Sequence, residues 1–375
     1  MSWAALMMLW AAEGTPTAGE PPPGEPTPLT QPEESPTPPP ADPQGTKPQD
    51  DPVDLYEWGI RAKDLGLCSS AEAAWSRLVE DFPTHENAAP ALYMQGICRE
   101  KGDDTRGALG FYQQVVEKYP TDPLVKDATF RMGLVLEWQG HYREAELLYE
   151  DLLTRKDLSK TDQLAIQIQR DIERVKQGKE RQGGKSLLNT LDTLHAGDRA
   201  LEEDMAYWMA KAELSLGEIL SRHARTIPLQ VTGVDRLRVI LPGITAEDIL
   251  AERLEKRTAD LLAARGRYQA VFDYRQIEWN LAAIYAIGQD YELLYQDLLD
   301  APLPRSLDNE EQEVYREALV ERVRPIKVQA FRTYWRGYQL SRDFDTTSYW
   351  ARQLEARVQD LERQGFADYE EETHP

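Results

Sequence analysis

Small, aromatic and helix-breaking positions recur at one fixed interval from Asp54 to about Lys160. Gly59, Gly96 and Gly133 stand 37 residues apart, as do Ala71, Ala108 and Ala145, and the aromatics Trp75, Tyr112 and Tyr149. Within a unit, glycine precedes alanine by 12 residues and alanine precedes the aromatic by 4. Pro83 or Pro120 follows 8 later, and Asp157 stands in the third place. Each unit divides into two helical stretches joined near Gly66, Gly102 and Gly140. The small residues predict close approach of the two helices. The aromatics are expected to fill the gap between units, and proline stops the second helix because it cannot continue the hydrogen-bond ladder. A period of this length marks a helical repeat.

Helical spacing continues beyond the repeats. Leu164, Ile168, Ile172 and Val175 lie three and four apart, which predicts an amphipathic helix over Thr161–Gln177 that closes a three-unit array (54–177). Residues 178–197, opening GKERQGGK, read as a polar hinge before a C-terminal helical domain, 198–375. Helical periodicity runs over Ser186–Thr226 through Trp208, Leu214, Leu216 and Leu220. Ile227–Pro242 is rich in β-branched residues and reads as an extended connection or short hairpin. Thr245 to Asp248 opens a helix expected to reach about Arg265, with acidic residues near its positive end. Trp279, Ala282, Ala283 and Ala286 form a helix with alanines at its crossing point, and Pro302 and Pro304 end that unit. Asp308 and Glu311 predict a capping box for a long helix from Asn309, kinked or broken at Pro325, and a last helix spans Ser348 to Gln364.

The N-terminus differs in kind. Trp3–Ala12 is an apolar run too short to span a bilayer as a helix; it resembles the core of a secretory signal peptide, although no basic residue precedes it. The segment 13–53 holds most of the chain's 24 prolines among Glu, Thr, Gly and Gln. Such a composition buries too little apolar area to fold and predicts a disordered, polyproline-like tether. The net charge of −22 argues against nucleic acid and anionic lipid, which need clustered Lys and Arg. The two cysteines, Cys68 and Cys98, fall in the first two units and read either as idle thiols or as a disulfide between neighbouring repeats.

The Gly-Ala-aromatic-Pro units resemble the tetratricopeptide repeat family. That resemblance implies an all-α fold, a right-handed helix-turn-helix superhelix, followed here by a degenerate region of the same type. The connections FPTHENAAPALY and YPTDPLVKDATF are similar to those of Gram-negative envelope members, including Tol-Pal and outer-membrane assembly proteins. The C-terminal order WNLAAIYAIG, APLPRSL, VYREALVERVRPIKVQAFRTYWRGYQLS resembles a block of myxobacterial gliding-motility proteins. In the family the first helix of each pair lines a concave groove. By that resemblance the groove residues are Tyr56, Glu57, Ile60, Tyr93, Met94, Ile97, Phe130, Arg131 and Leu134, a surface suited to a peptide or helix. An alternative reading has the aromatics packing repeat on repeat. Members that grip a C-terminal carboxylate use Lys and Asn there; of Tyr56, Ile60, Met94, Asp127 and Arg131, only Arg131 fits.

No pattern signals catalysis. The five histidines are dispersed, and no Cys/His set has metal-ligand spacing. Gly183-Gly184-Lys185-Ser186 ends like a phosphate loop, but Lys179 stands where its first glycine is required. The segment from Asp343 lacks the central glycine of a calcium loop and has Leu354 at the bidentate position. No enzyme, cofactor or metal is expected, and neither nucleic acid nor a small-molecule substrate is expected as partner. The sequence points to a noncatalytic scaffold that binds another envelope protein, exported to the periplasm or outer membrane, or cytoplasmic if Trp3–Ala12 is no signal. The alternative is a homo-oligomeric structural subunit joined through its C-terminal helices.

Overall fold

The computed structural model describes residues 51–197, 199–230, 245–303 and 307–368. The signal-like run, almost all of the proline-rich segment and most of Ile227–Pro242 lie outside the described residues. Those described fall into two bodies, 51–192 and 193–368. Every regular element among them is helical.

The first body carries α1 (Pro52–Asp64), α2 (Cys68–Asp81), α3 (Ala88–Lys101), α4 (Thr105–Lys118), α5 (Leu124–Trp138), α6 (Tyr142–Leu152), α7 (Lys160–Lys176) and most of α8 (Glu180–His195). Helix α1 begins at Pro52, within the stretch expected to be linker, because Asp51 accepts from the Asp54 amide and proline suits the first helical position. Helices α2 and α4 end just before Pro83 and Pro120. From α1 to α7 each helix packs on the next, and α3 also meets α5.

The close approaches follow one rule. A Cβ on Gly59, Gly96 or Gly133 would stand less than 3.0 Å from ring atoms of Trp75, Tyr112 or Tyr149 respectively. The large aromatics therefore fill the crossing inside each pair, whereas the spacing suggested a gap between units. All three rings are fully buried, and so are Ala71, Ala108 and Ala145 on the same second helices.

The expected hinge over 178–197 is a helix. Gly183 lies on α8, where a side chain would run into the Asp171 carbonyl and Val175 of α7, and Leu187, Leu191 and Leu194 continue its buried stripe. The helix expected over Thr161–Gln177 thus pairs with α8. The misleading signal is composition: GKERQGGK is polar, but Gly183 serves a helix crossing, while Gly178 takes a positive φ just after α7. Asp171 stands 12 residues before Gly183, the offset that separates Gly59 from Ala71. Its fully buried carboxylate takes hydrogen bonds from Arg170, Arg174 and Ser186, so a polar anchor replaces the glycine and ring at this crossing.

The second body carries α9 (Arg199–Thr226), α10 (Ala246–Ala270), α11 (Ile277–Leu299), α12 (Asn309–Asp343) and α13 (Tyr349–Arg363), with a 3-10 turn at Val271–Tyr274. The same rule builds it from longer helices: Gly217 takes the ring of Tyr268, and Gly288 takes the ring of Tyr334. Gly288 marks the crossing of α11 with α12, while Ala282 and Ala283 are buried in the cluster that α11 shares with α9 and α10. Reciprocal caps open α10 at Thr245/Asp248 and α12 at Asp308/Glu311. Helix α12 runs unbroken through Pro325, because that residue faces solvent, where water can take the carbonyl the proline leaves unpaired.

Two outcomes test this packing. Gly96→Ala is expected to destabilise the chain by about 2 kcal/mol through overpacking against Tyr112. Gly110→Ala, with nothing within 4 Å of its would-be methyl, is expected to stabilise by about 0.5 to 1 kcal/mol; equal effects in urea unfolding would contradict the crossing rule. Burial raises the Asp290 carboxyl to about 6, against lowering by the Ser221 hydroxyl, which donates to it, and by nearby Arg225 and Arg257. An acid whose folded value is raised favours folding while protonated, so this contribution is present below about pH 4 and lost as pH rises through 6. Relative to the parent chain, Asp290→Asn should gain about 2 kcal/mol between pH 4 and pH 7. Parallel stability-pH curves for the two chains would refute it.

Candidate functional site

The helices α1, α3 and α5 are the first members of their pairs, and they carry all nine residues expected in the groove. Their fates differ. Tyr56 and Ile60 are half-buried and pack against the core of the first pair, and Met94 of the next pair packs against that same core. The backbone carbonyl of Tyr56 accepts the Trp75 indole N–H at 3.2 Å, which fixes α1 on α2. Ile97 packs against the core of the second pair, and Leu134 is half-buried on α5. Glu57 is exposed and pairs with Arg61 one turn on, at 3.5 Å.

Tyr93 and Phe130 belong to the interior. They are 6% and 5% exposed, and their rings lie 5.5 and 5.6 Å from those of Tyr112 and Tyr149. The aromatic ladder is thus largely a packing device on α3 and α5, where one ring leans on the ring that fills the glycine crossing. Tyr56, at the same offset before Gly59, stays half-buried, so the offset alone does not decide burial.

Arg131 is engaged within the fold. Its guanidinium meets the Glu100 carboxylate at 3.0 Å, and Glu100 also accepts the Tyr112 hydroxyl at 2.6 Å. Arg131 and the Tyr93 hydroxyl also act on each other electrostatically. Burial weakens the guanidinium's hold on its proton, but Glu100 together with Tyr93 and Tyr112 more than offsets burial, and Arg131 stays charged. Burial and then Glu100 push the Tyr112 hydroxyl far up, so it stays a donor.

Spacing carries a signal for Glu100. It stands four residues after Gly96, as Glu137 does after Gly133 and Glu292 after Gly288. The second and third examples are also paired. Lys176 meets Glu137 at 2.5 Å, and in the second body Arg357 meets Glu292 at 2.5 Å while the Tyr334 hydroxyl donates to Glu292 at 2.9 Å.

Asp127, one turn before Arg131, is the other residue whose environment periodicity could not reveal. It is 8% exposed, and one of its carboxylate oxygens has no hydrogen-bond partner among the described residues. Burial pushes its carboxyl up; neighbouring Lys126 opposes that rise, Asp162 adds to it, and Arg131 opposes it. Lys126 itself pairs with Asp162 of α7 at 2.9 Å. The first helices therefore present a half-buried apolar row, Tyr56, Ile60, Met94, Ile97 and Leu134, with an under-satisfied acid at Asp127. Among the described residues, no group of three or more His, Cys, Asp or Glu has a metal-binding arrangement, and no helix is long and apolar enough to cross a membrane.

Comparison with known proteins agrees with the repeat pattern. A family model described as Tetratricopeptide repeat matches residues 90–122, which span α3 and α4. Repeats of this family generally mediate protein–protein interaction and typically form noncatalytic scaffolds. No curated protein matches the chain. Among solved structures, it is similar to a tetratricopeptide repeat protein from Parabacteroides merdae ATCC 43184. The identity is 13% over 72% of this chain and 98% of that one, with a TM-score of 0.36.

Proposed function

We propose that the chain is a noncatalytic scaffold of the bacterial cell envelope that binds a segment of another protein along the first helices of its N-terminal body. The carrying observation is the half-buried apolar row of Tyr56, Ile60, Met94, Ile97 and Leu134 on three successive first helices. Apolar side chains in such a row retain surface that a partner can cover, and clusters of this kind supply most binding energy in a recognition groove. Asp127 adds a preference. A carboxylate with an unmet oxygen gains from a nearby cation, so the segment bound carries a Lys or Arg beside its apolar anchors. Glu57 at the rim favours the same sign of charge.

The envelope assignment rests on other features: the apolar run Trp3–Ala12, the proline-rich tether after it, and the resemblance of the inter-repeat connections and C-terminal block to envelope and gliding-motility proteins. In this reading the tether holds the repeats at a distance from the membrane, and the mature protein works in the periplasm or at the outer membrane.

The test is comparative capture of envelope proteins on immobilised parent chain and on a Tyr56→Ala, Met94→Ala, Asp127→Asn variant. None of these changes replaces a glycine or ring of a crossing, and the Tyr56 carbonyl that accepts the Trp75 indole belongs to the main chain. The variant should keep the parent's helical circular dichroism and bind the principal partner about tenfold or more weakly. A folded variant that retains every partner at parental affinity would remove the groove from consideration.

A further inference from the structure

We propose that Cys68 and Cys98 are a thiol pair that closes reversibly to a disulfide and locks the first helix pair onto the second. Cys68 is the first residue of α2, half-buried, and packs against the core cluster that contains Cys98 of α3, itself 3% exposed. After burial, the Cys68 side chain is the neighbour that acts most strongly on the Cys98 thiol. A second contact fixes the same juxtaposition: Glu72, one turn beyond Cys68 on α2, pairs with Arg99, the residue after Cys98, at 2.6 Å. Two neighbouring side chains of α2 thus face two neighbouring side chains at the end of α3. The thiols are therefore held together by the fold before any oxidation, which distinguishes a specific pair from two cysteines that meet only in an unfolded chain.

The chemistry needs one co-reactant, a low-molecular-weight disulfide. The thiolate of Cys68, the more exposed of the two, attacks one sulfur of that disulfide and releases one small thiolate, which leaves a mixed disulfide on Cys68. Cys98 then gives up its proton and attacks the Cys68 sulfur, expelling the second small thiol. Both protein thiols are oxidised, and the two electrons leave on the two small thiols. Burial and then Cys68 push the Cys98 thiol up to about 12, so it does not compete for the first attack. The product joins the start of α2 to α3 and fixes the spacing between the Tyr56/Ile60 and Met94/Ile97 levels of the first-helix face.

The full chain, reduced and then incubated with oxidised glutathione, tests this. Expected are no titratable thiols after denaturation, a mass lower by about 2 Da than the reduced chain, and a monomer on a nonreducing gel. The melting temperature should rise by about 5 to 10 °C, and dithiothreitol should reverse every change. Persistent glutathione adducts on the parent chain, disulfide-linked dimers, two unreacted thiols, or an unchanged melting temperature would each overturn the proposal. In Cys68→Ser, Cys98 should stay unmodified while the chain is folded; a glutathione adduct on it would contradict the order of attack.

Discussion

A bare glycine backbone facing an aromatic ring is the contact on which both bodies depend. It occurs at Gly59/Trp75, Gly96/Tyr112 and Gly133/Tyr149 in the first body, and at Gly217/Tyr268 and Gly288/Tyr334 in the second. Removing the Cβ lets two helix backbones approach, and the ring fills the space that remains with a large buried apolar surface. Glycine in a helix interior costs about 1 kcal/mol relative to alanine. Burying an aromatic ring returns roughly 2 to 3 kcal/mol. The exchange favours the crossing, and it explains why helices of very different lengths in the two bodies share one joint.

The polar contacts one turn beyond these crossings have another role. Glu100, Glu137 and Glu292 are each met by a cation from a later helix, and two of them also accept the hydroxyl of the ring below. A buried ion pair adds little net stability, because desolvation offsets most of its attraction. Breaking one side of it, however, strands a charge. Such pairs tie a first helix to a later one, while the ring contact supplies most of the burial energy. Arg131 is the clearest case. As a cation on a first helix it resembled a ligand clamp, but its partners are Glu100 and Tyr93, and the acid left under-satisfied on that helix is Asp127.

Much of the fold was legible because it obeys spacing. The interval between Gly59, Gly96 and Gly133 marked the pairs, Pro83 and Pro120 marked their ends, and Asp308 with Glu311 marked the start of α12. The failures have physical causes. Residues 178–197 were read by polarity, and polarity cannot tell a loop glycine from one pressed against Asp171 and Val175. Gly288 was passed over for the alanines after Trp279 because its ring, Tyr334, lies 46 residues away in sequence instead of 16. For the candidate site, sequence placed the right helices, but the burial of Tyr93 and Phe130 depends on rings contributed by α4 and α6. The environment of Asp127 is set by α5 and α7 together, through Lys126, Arg131 and Asp162.

A double-mutant cycle at Gly288 and Tyr334 tests the central claim most directly, in the body where the joint is least visible in sequence. Gly288→Ala and Tyr334→Leu should each destabilise the chain in urea. The double variant should be no less stable than Tyr334→Leu alone, because removal of the ring makes room for the added methyl. Losses that simply add would mean that the glycine and the ring do not share one space, and the joint proposed for both bodies would be wrong.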